Sequence, residues 1–225
     1  MTGIRTLEQL SDSLAEEFAW RKKELSALKS LIESGSTTTN PNKERLLLRS
    51  GVTILYAHWE GFIKAVGSDY LEFVSQQQLN YSELSSCFVA LAFKDRLNQI
   101  NETNKATVFV DSVEFLRKNL GTRSNIPYRN QIQTGSNLSS SIFQDIVCKL
   151  GLDYSSYETK KVLIDEKLLA RRNSIAHGNY LQLDREDYLE LHAQVIGMME
   201  TFRTQIENDA ALENYRSKKA DPVVE

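Results

Sequence analysis

The chain has 225 residues, a formal net charge of −3 and 41% hydrophobic residues. This length and apolar content are enough for one domain with its own core. The small negative charge excludes a global field that attracts nucleic acid, so any phosphate contact must be local. Three prolines and ten glycines are few for this length, which favours helices, and we expect an all-α fold.

Two long helices are predicted in the N-terminal third of the chain. Apolar residues recur at intervals of three and four over 6–33, and the polar loop 34–41 ends this helix. A second helix is predicted over 42–77, where Glu60 and Lys64 are four apart and indicate an exposed ion pair. His58 indicates a hydrogen-bonded interior histidine, and Trp20 and Trp59 indicate packing anchors. The inner face of the second helix is almost uninterrupted: Leu48, Val52, Leu55, Trp59, Phe62, Val66, Tyr70 and Phe73.

The middle of the chain has a weaker pattern. A helix is predicted over 82–99, and 101–136 is interpreted as a variable insert. A short helix over 108–120 and a long loop or small β excursion over 123–136 are expected within that insert. Asn137 is predicted to cap a helix that ends near Gly151.

The last third contains the motif helix and a long final helix. The motif helix begins near 158 or 165 and ends at His177, because Gly178 is suited to a left-handed C-cap. Asp184 is predicted to cap the final helix, and residues 216–225 are predicted to be a flexible tail. We therefore expect one helical domain over 1–215. The inner positions of the final helix are Tyr188, His192, Val195, Met199, Phe202 and Ile206.

Arg172 lies in the middle of the apolar face of the motif helix. On a helical wheel its neighbours are Leu168, Leu169, Ile175 and Ala176. A guanidinium at such a position is costly to bury unless it meets an anion or another partner, and no anionic partner is evident from the sequence. This pattern is difficult to explain by core packing alone.

Arg172, Asn173 and His177 together indicate phosphodiester chemistry without a metal. Imidazole exchanges protons near neutral pH, and guanidinium offers a planar fork for phosphate. The amide of Asn173 either orients the imidazole or binds a phosphate oxygen. Arg172 and His177 are five apart, about 140° around an ideal helix, so they do not face each other directly. Pairing the helix with its copy across a two-fold axis brings both onto one phosphate, and the apolar stripe is then a dimer interface.

These residues resemble the HEPN superfamily, whose signature is an arginine, a polar residue, three variable residues and a histidine. The likeness extends over 164–178, which includes the run Arg171-Arg172-Asn173 and the run Ile175-Ala176-His177-Gly178. The segments Trp20–Leu25 and Ala57–Lys64 resemble the stand-alone bacterial branch called MAE-type HEPN nucleases. The middle third of the chain matches nothing in this pattern.

The resemblance implies an all-α HEPN-like helical bundle with long N-terminal helices and an irregular inserted middle segment. It implies a ribonuclease in which the 2′-hydroxyl attacks the adjacent phosphate at a composite cleft between two protomers. By position, Arg172 binds the phosphate, His177 is the acid–base group and Asn173 is an accessory. One HEPN toxin group carries a modified tyrosine two residues after the histidine; here that position is Asn179, and the tyrosine follows at Tyr180.

The predicted partners are an RNA substrate, a second copy of the chain and an antitoxin or regulatory protein. Arg171 and Tyr180 are candidate substrate-binding residues, and no cofactor or metal is expected, since the cysteines and histidines are scattered. The N-terminal segment lacks the apolar run of a signal peptide and no membrane helix is predicted, so a cytoplasmic location is expected. Family members serve as toxins or phage-defence effectors. The alternatives are a non-catalytic HEPN module that binds RNA, nucleotide or protein, and a structural helical adaptor.

Overall fold

The computed structural model describes residues 3–34, 41–103 and 105–218, and within these ranges the chain forms helices and no strand. Three long helices, α1 (Leu7–Ser34), α2 (Pro41–Gln76) and α8 (Arg185–Ala211), pack against one another. The five shorter helices are α3 (Ser86–Ala92), α4 (Lys94–Asn101), α5 (Ala106–Asn119), α6 (Ser140–Lys149) and α7 (Arg171–Ala176). The all-α prediction is confirmed.

The helices α2 and α8 bury the faces that their sequence periodicity predicts, whereas Leu7, at the start of the predicted inner face of α1, is 43% exposed. Every predicted inner position of α2 and of α8 is buried. Asp184 caps α8, because its carboxylate accepts a hydrogen bond from Asp187 N at 2.7 Å. The helices α2 and α8 approach closely at Gly51, where an added Cβ would lie 2.7 Å from the ring of Tyr188. The apolar pattern of these two helices therefore specifies the main core.

The two aromatic segments of α1 and α2 meet, but only one of the two tryptophans is a core residue. Trp59 is fully buried, whereas Trp20 is 42% exposed, so the prediction of a packing anchor is wrong for Trp20. His58 is an interior histidine as predicted, with Nε2 3.0 Å from a carboxylate oxygen of Glu24 and its ring edge against Trp20. Burial lowers the pKa of His58, which favours the neutral imidazole.

The middle of the chain differs from its prediction. The single helix expected over 82–99 is wrong: a 3-10 turn at Tyr81–Glu83 precedes α3, and the backbone leaves the helix at Phe93 (φ −100°, ψ 10°) before α4 begins. The ring of Phe93 lies between Tyr81 and Phe115, with centroid distances of 4.9 and 5.6 Å. Burial of this aromatic side chain between separate elements, which sequence periodicity does not encode, accompanies the break.

The segment that leads into α6 also departs from prediction at one residue. Ser139, not Asn137, is the N-cap of α6, and its Oγ accepts a hydrogen bond from Ile142 N at 3.3 Å. The Asn137 side chain bonds instead to Asn173, on the motif helix. The loop over 123–136 is confirmed, with only an isolated bridge between Asn80 and Arg123.

The start of the predicted C-terminal tail contacts the rest of the chain. Arg216 forms an isolated bridge with Leu84, and Ser217 N donates to Glu83 O at 2.8 Å. Two residues of the predicted tail are thus packed against the 3-10 turn, while 219–225 lie outside the described residues. No helix in the described ranges is both long and apolar enough to cross a bilayer.

Candidate functional site

The motif helix is one continuous helical segment with an unusual first half. Residues Leu163–Ala170 have π-helical hydrogen bonding and lead directly into α7. The helix ends where it was predicted to end: His177 is the C-cap, and Gly178 adopts φ 76°, a left-handed conformation that glycine takes without steric cost. π-helical turns are rare and often occur at functional sites.

Asp165 fixes this segment to α6. Its two carboxylate oxygens accept hydrogen bonds from Ser140 N at 2.7 Å and from Ser140 Oγ at 2.6 Å. The carboxylate therefore satisfies backbone and side-chain donors at the first turn of α6. Ile164 and Leu168 are fully buried on the same segment. Together these contacts set the position of the residues that follow.

Arg172 points from the motif helix toward α2 of its own chain. Its Nη1 donates to Asn173 Oδ1 at 2.7 Å, its Nη2 donates to the Ser136 carbonyl, and its guanidinium carbon lies 4.0 Å from the centroid of the Tyr56 ring. Its Nη2 is also 4.0 Å from a Glu60 carboxylate oxygen. The inference that this guanidinium lacks a partner within the chain is therefore wrong, because α2 and the loop before α6 supply several.

Glu60 is part of this site rather than an exposed ion pair with Lys64. Its side chain is 15% exposed, and it accepts a hydrogen bond from Thr134 Oγ1 while facing Arg172. Sequence analysis missed it because an acid four residues before a lysine on a helix is typical of a surface pair. Its spacing of four from Tyr56 places both on one face of α2, which is the signal the sequence does contain.

Tyr56 connects the arginine to the loop. The Tyr56 hydroxyl accepts a hydrogen bond from Leu138 N at 2.6 Å, while the ring lies against Arg172. Burial raises the pKa of Tyr56, so the hydroxyl stays neutral. Sequence analysis assigned no role to this residue, since a tyrosine on a long amphipathic helix is indistinguishable from a core residue.

Asn173 links the motif helix to the same loop. Its Oδ1 accepts from Arg172 and its Nδ2 donates to Asn137 Oδ1 at 3.2 Å. Both ends of the amide are therefore engaged, and its contacts fix Arg172 rather than His177. Among the described residues, the amide contacts Arg172 and Asn137 and not the imidazole that it was predicted to orient.

His177 lies in a different environment. Its side chain is exposed at the C-terminal end of α7 and has no hydrogen-bond or ion-pair partner among the residues that the structure describes. Arg172 faces α2 while His177 faces solvent, which agrees with their separation of about 140° on an ideal helix. Within one chain, the Arg172 guanidinium and the His177 imidazole therefore do not face the same site.

The two candidate substrate-binding residues also differ from each other. Arg171 Nη2 lies 3.2 Å from a carboxylate oxygen of Asp187, so the first turn of α8 already holds this guanidinium. Tyr180 is 73% exposed, and the Arg45 guanidinium carbon is 5.5 Å from its ring centroid. Of the two, Tyr180 is the side chain that remains open to a ligand.

Metal ligands are not clustered in the described part of the chain. Across 3–34, 41–103 and 105–218, no group of three or more histidine, cysteine, aspartate or glutamate side chains could hold a metal ion. The chemistry that the site itself offers is a fixed guanidinium, an amide and an exposed imidazole.

Comparison with known families identifies the domain. The model of the RiboL-PSP-HEPN family matches residues 16–208, most of the chain, and the chain therefore belongs to this family. The resemblance to the HEPN superfamily is confirmed, and with it a nuclease-like or RNA-binding module. No curated protein and no solved structure matches the chain.

Proposed function

We propose that this member of the RiboL-PSP-HEPN family is a metal-independent endoribonuclease of the Arg-x4-His type. The observation that carries the proposal is the arrangement of the motif helix. It holds Arg172 and Asn173 in a bonded network and presents His177 unpaired at its exposed end. A fixed cation suits a phosphate, and a free imidazole suits proton transfer.

The proposed reaction uses the substrate's own 2′-hydroxyl. His177 accepts the proton of this hydroxyl as its oxygen attacks the adjacent phosphorus, and the bond from phosphorus to the 5′-oxygen breaks. The leaving oxygen takes a proton from water, and the products are a 2′,3′-cyclic phosphate and a 5′-hydroxyl. Arg172 stabilises the negative charge that develops on the phosphoryl oxygens, with Asn173 holding the guanidinium.

The active site in this proposal is shared between two copies of the chain. Arg172 faces inward against Tyr56 while His177 faces outward, so each cleft combines Arg172 of one protomer with His177 of the other. The sequence argument for a dimer was that Arg172 lacks an anionic partner within its own chain. That argument does not hold, because Glu60 lies beside Arg172. The support is the direction of the two side chains, together with the assembly common among HEPN proteins.

We further propose that the protein belongs to the MAE-type branch and acts as a toxin or phage-defence effector with an antitoxin or regulator. This rests on the resemblance of segments Trp20–Leu25 and Ala57–Lys64. The structure adds contacts between them, since Trp20 lies against His58 and Arg21 lies within 4 Å of a Cβ added at Gly61.

The second candidate function is a non-catalytic module that binds RNA. The observation that weighs against catalysis is the engagement of Arg172 by the Ser136 carbonyl and Glu60, which compete with the scissile phosphate for the guanidinium and leave RNA to bind elsewhere on the protein. In that case RNA binding persists while cleavage is absent in every variant.

Cleavage of total RNA and tRNA in EDTA, beside a His177→Ala control, separates the two candidates. Catalysis predicts products that end in cyclic phosphate, formed without added metal and lost in the variant. Cleavage that EDTA abolishes and magnesium restores contradicts the mechanism.

Mixing inactive His177→Ala and Arg172→Ala chains tests the shared cleft: some heterodimers then carry one intact combination, and recovered activity supports it. No recovery, or full activity of a monomer in light scattering, contradicts it.

A further inference from the structure

One face of α2 follows the motif helix along its length. Arg172 contacts Tyr56 and approaches Glu60, whereas Asn179 and Tyr180, after the histidine, contact Arg49 and Arg45. Contacts later in the motif segment thus fall earlier on α2, so the two run antiparallel. Arg49 and Glu60 are eleven residues apart, roughly 16 Å along an α-helix.

The end of this face nearest the helix N-terminus carries arginines without acidic partners. Arg49 Nη1 donates to the Asn179 carbonyl at 2.9 Å, and Arg45 Nη2 donates to Asn42 Oδ1 at 3.2 Å. Neither guanidinium has a carboxylate partner among the described residues. Because backbone and amide oxygens leave a guanidinium its full charge, this end of the face is a local cationic site in a chain of net charge −3.

The acids of the adjoining cleft are already engaged. The cleft has a volume of about 350 Å³ and lies between the start of α2 and the segment before α8. Its Glu44 accepts from Arg185 at 2.6 Å, and its Asp184 caps α8. Neither carboxylate forms an ion pair with Arg45, so the Arg45 guanidinium remains available to a ligand at this cleft.

Tyr180 forms an exposed aromatic platform at the same place. It is 73% exposed, with the Arg45 guanidinium carbon 5.5 Å from its ring centroid. An aromatic ring beside a guanidinium provides two stacking surfaces for a nucleobase, and the charge serves the phosphate of the same nucleotide. Tyr180 itself lies three residues after His177 in the chain.

We propose that Arg45, Arg49 and Tyr180 form a nucleotide subsite for single-stranded RNA. This proposal rests on the proposed function and adds the path that the RNA strand takes across the protein. From the phosphate at Arg172 of one protomer and His177 of the other, the RNA follows α2 of the protomer that supplies Arg172, toward the N-terminal end of that helix. There a neighbouring base stacks on Tyr180 against Arg45, and its phosphate lies at Arg45 and Arg49. Stacking on a side chain reads no base edge, so the subsite is tolerant of sequence.

The test is equilibrium binding of a fluorescent single-stranded RNA decamer, with His177→Ala as the parent so that the RNA survives. Adding Tyr180→Ala should raise the dissociation constant about fivefold or more. Adding Tyr180→Phe should keep the dissociation constant within about twofold of the parent value, because the ring is retained. Arg45→Ala should weaken binding and reduce the slope of log K against log salt by about 0.7, whereas Tyr180→Ala should leave that slope unchanged.

Arg129→Ala is the matched control, since Arg129 also lies beside a tyrosine, with its guanidinium carbon 5.6 Å from the Tyr128 ring centroid, but in the 123–136 loop. Its effect on binding should be below twofold.

The subsite is overturned if Tyr180→Ala binds like the parent, if Tyr180→Phe is as weak as Tyr180→Ala, or if Arg129→Ala matches Arg45→Ala. Failure of the wild type to cleave RNA, with the Tyr180 dependence intact, removes catalysis and leaves the subsite. Cleavage with Michaelis constants unchanged by Tyr180→Ala removes the subsite and leaves catalysis.

Discussion

The two ends of α7 contrast in how firmly they hold their candidate functional groups. At one end Arg172 contacts Tyr56, Glu60, Ser136 and Asn173 and is largely buried. At the other end His177 is exposed and unpaired within the described residues. A charge that stabilises a transition state works best when it is fixed in advance, whereas a proton-transfer group must reach its substrate. We therefore expect substitutions at Arg172 to change both stability and activity, and substitutions at His177 to change activity alone.

The largest expected effect is on catalysis at the exposed end. His177→Ala should lower the rate of RNA cleavage by about 10²–10⁴-fold, the usual contribution of a general acid–base group. Its melting temperature should stay within about a degree of wild type, because few contacts are lost. Initial rates with labelled RNA and thermal unfolding by circular dichroism measure the two quantities. Wild-type turnover would remove His177 from the mechanism.

Arg172→Ala should damage both properties. Cleavage should be lost, and the free energy of unfolding should fall by about 1–3 kcal/mol, since Glu60 then keeps a mostly buried carboxylate without its cation. The apolar stripe around Arg172, taken alone, predicts the opposite sign, because removal of an unpaired charge from such a stripe raises stability. Urea titration measures the change.

Arg171→Ala is the control for that measurement, because Arg171 is adjacent and pairs with Asp187 at the helix surface. It should cost less than about 1 kcal/mol. Equal losses in the two variants, or a more stable Arg172→Ala protein, would contradict the special position of Arg172.

Tyr56→Phe tests whether the loop holds the arginine end. The ring that lies against Arg172 is retained, but the buried Leu138 N–H loses its acceptor at 2.6 Å. The expected loss is about 1–2 kcal/mol of unfolding free energy. Tyr180→Phe, at the exposed end, should change stability by less than about 0.5 kcal/mol. Guanidinium titration of both variants makes the comparison, and a larger loss for Tyr180→Phe would invert it.

The smallest effect concerns pH and lies away from both ends. Burial raises the pKa of Asp69 to about 6, well above the usual value of an aspartate, although Ser13 Oγ donates to it at 2.8 Å. The folded state therefore binds this proton more tightly than the unfolded state. The stabilisation is complete below about pH 3.8 and is lost as pH rises through about 6.

Asp69→Asn should remove this dependence, on the order of 1 kcal/mol between pH 4 and pH 7. Unfolding titrations of both proteins across that range measure it. Parallel stability profiles for the two proteins would show that Asp69 does not titrate in this window.

Local patterns determined much of the fold. The apolar faces of α2 and α8, the Asp184 cap and the glycine that ends the motif helix depend on residues close in sequence, and each was predicted. The break at Phe93 and the cap at Ser139 were not, because partners distant in the chain decided them. At Phe93, packing against other aromatic rings accompanies the break in the predicted helix. Asn137 bonds to Asn173 and does not cap α6 as its local sequence predicted.

The sequence by itself determined which residues can carry the chemistry: the spacing of Arg172, Asn173 and His177 follows from one helix and its end. Only the tertiary structure decided what each of them meets. It placed Glu60 and Tyr56 of α2 and the Ser136 carbonyl around Arg172, and it left His177 in solvent. The physical reason is that the partners of a buried charge come from segments far apart in the chain, where helical periodicity gives the direction of a side chain but not its neighbour.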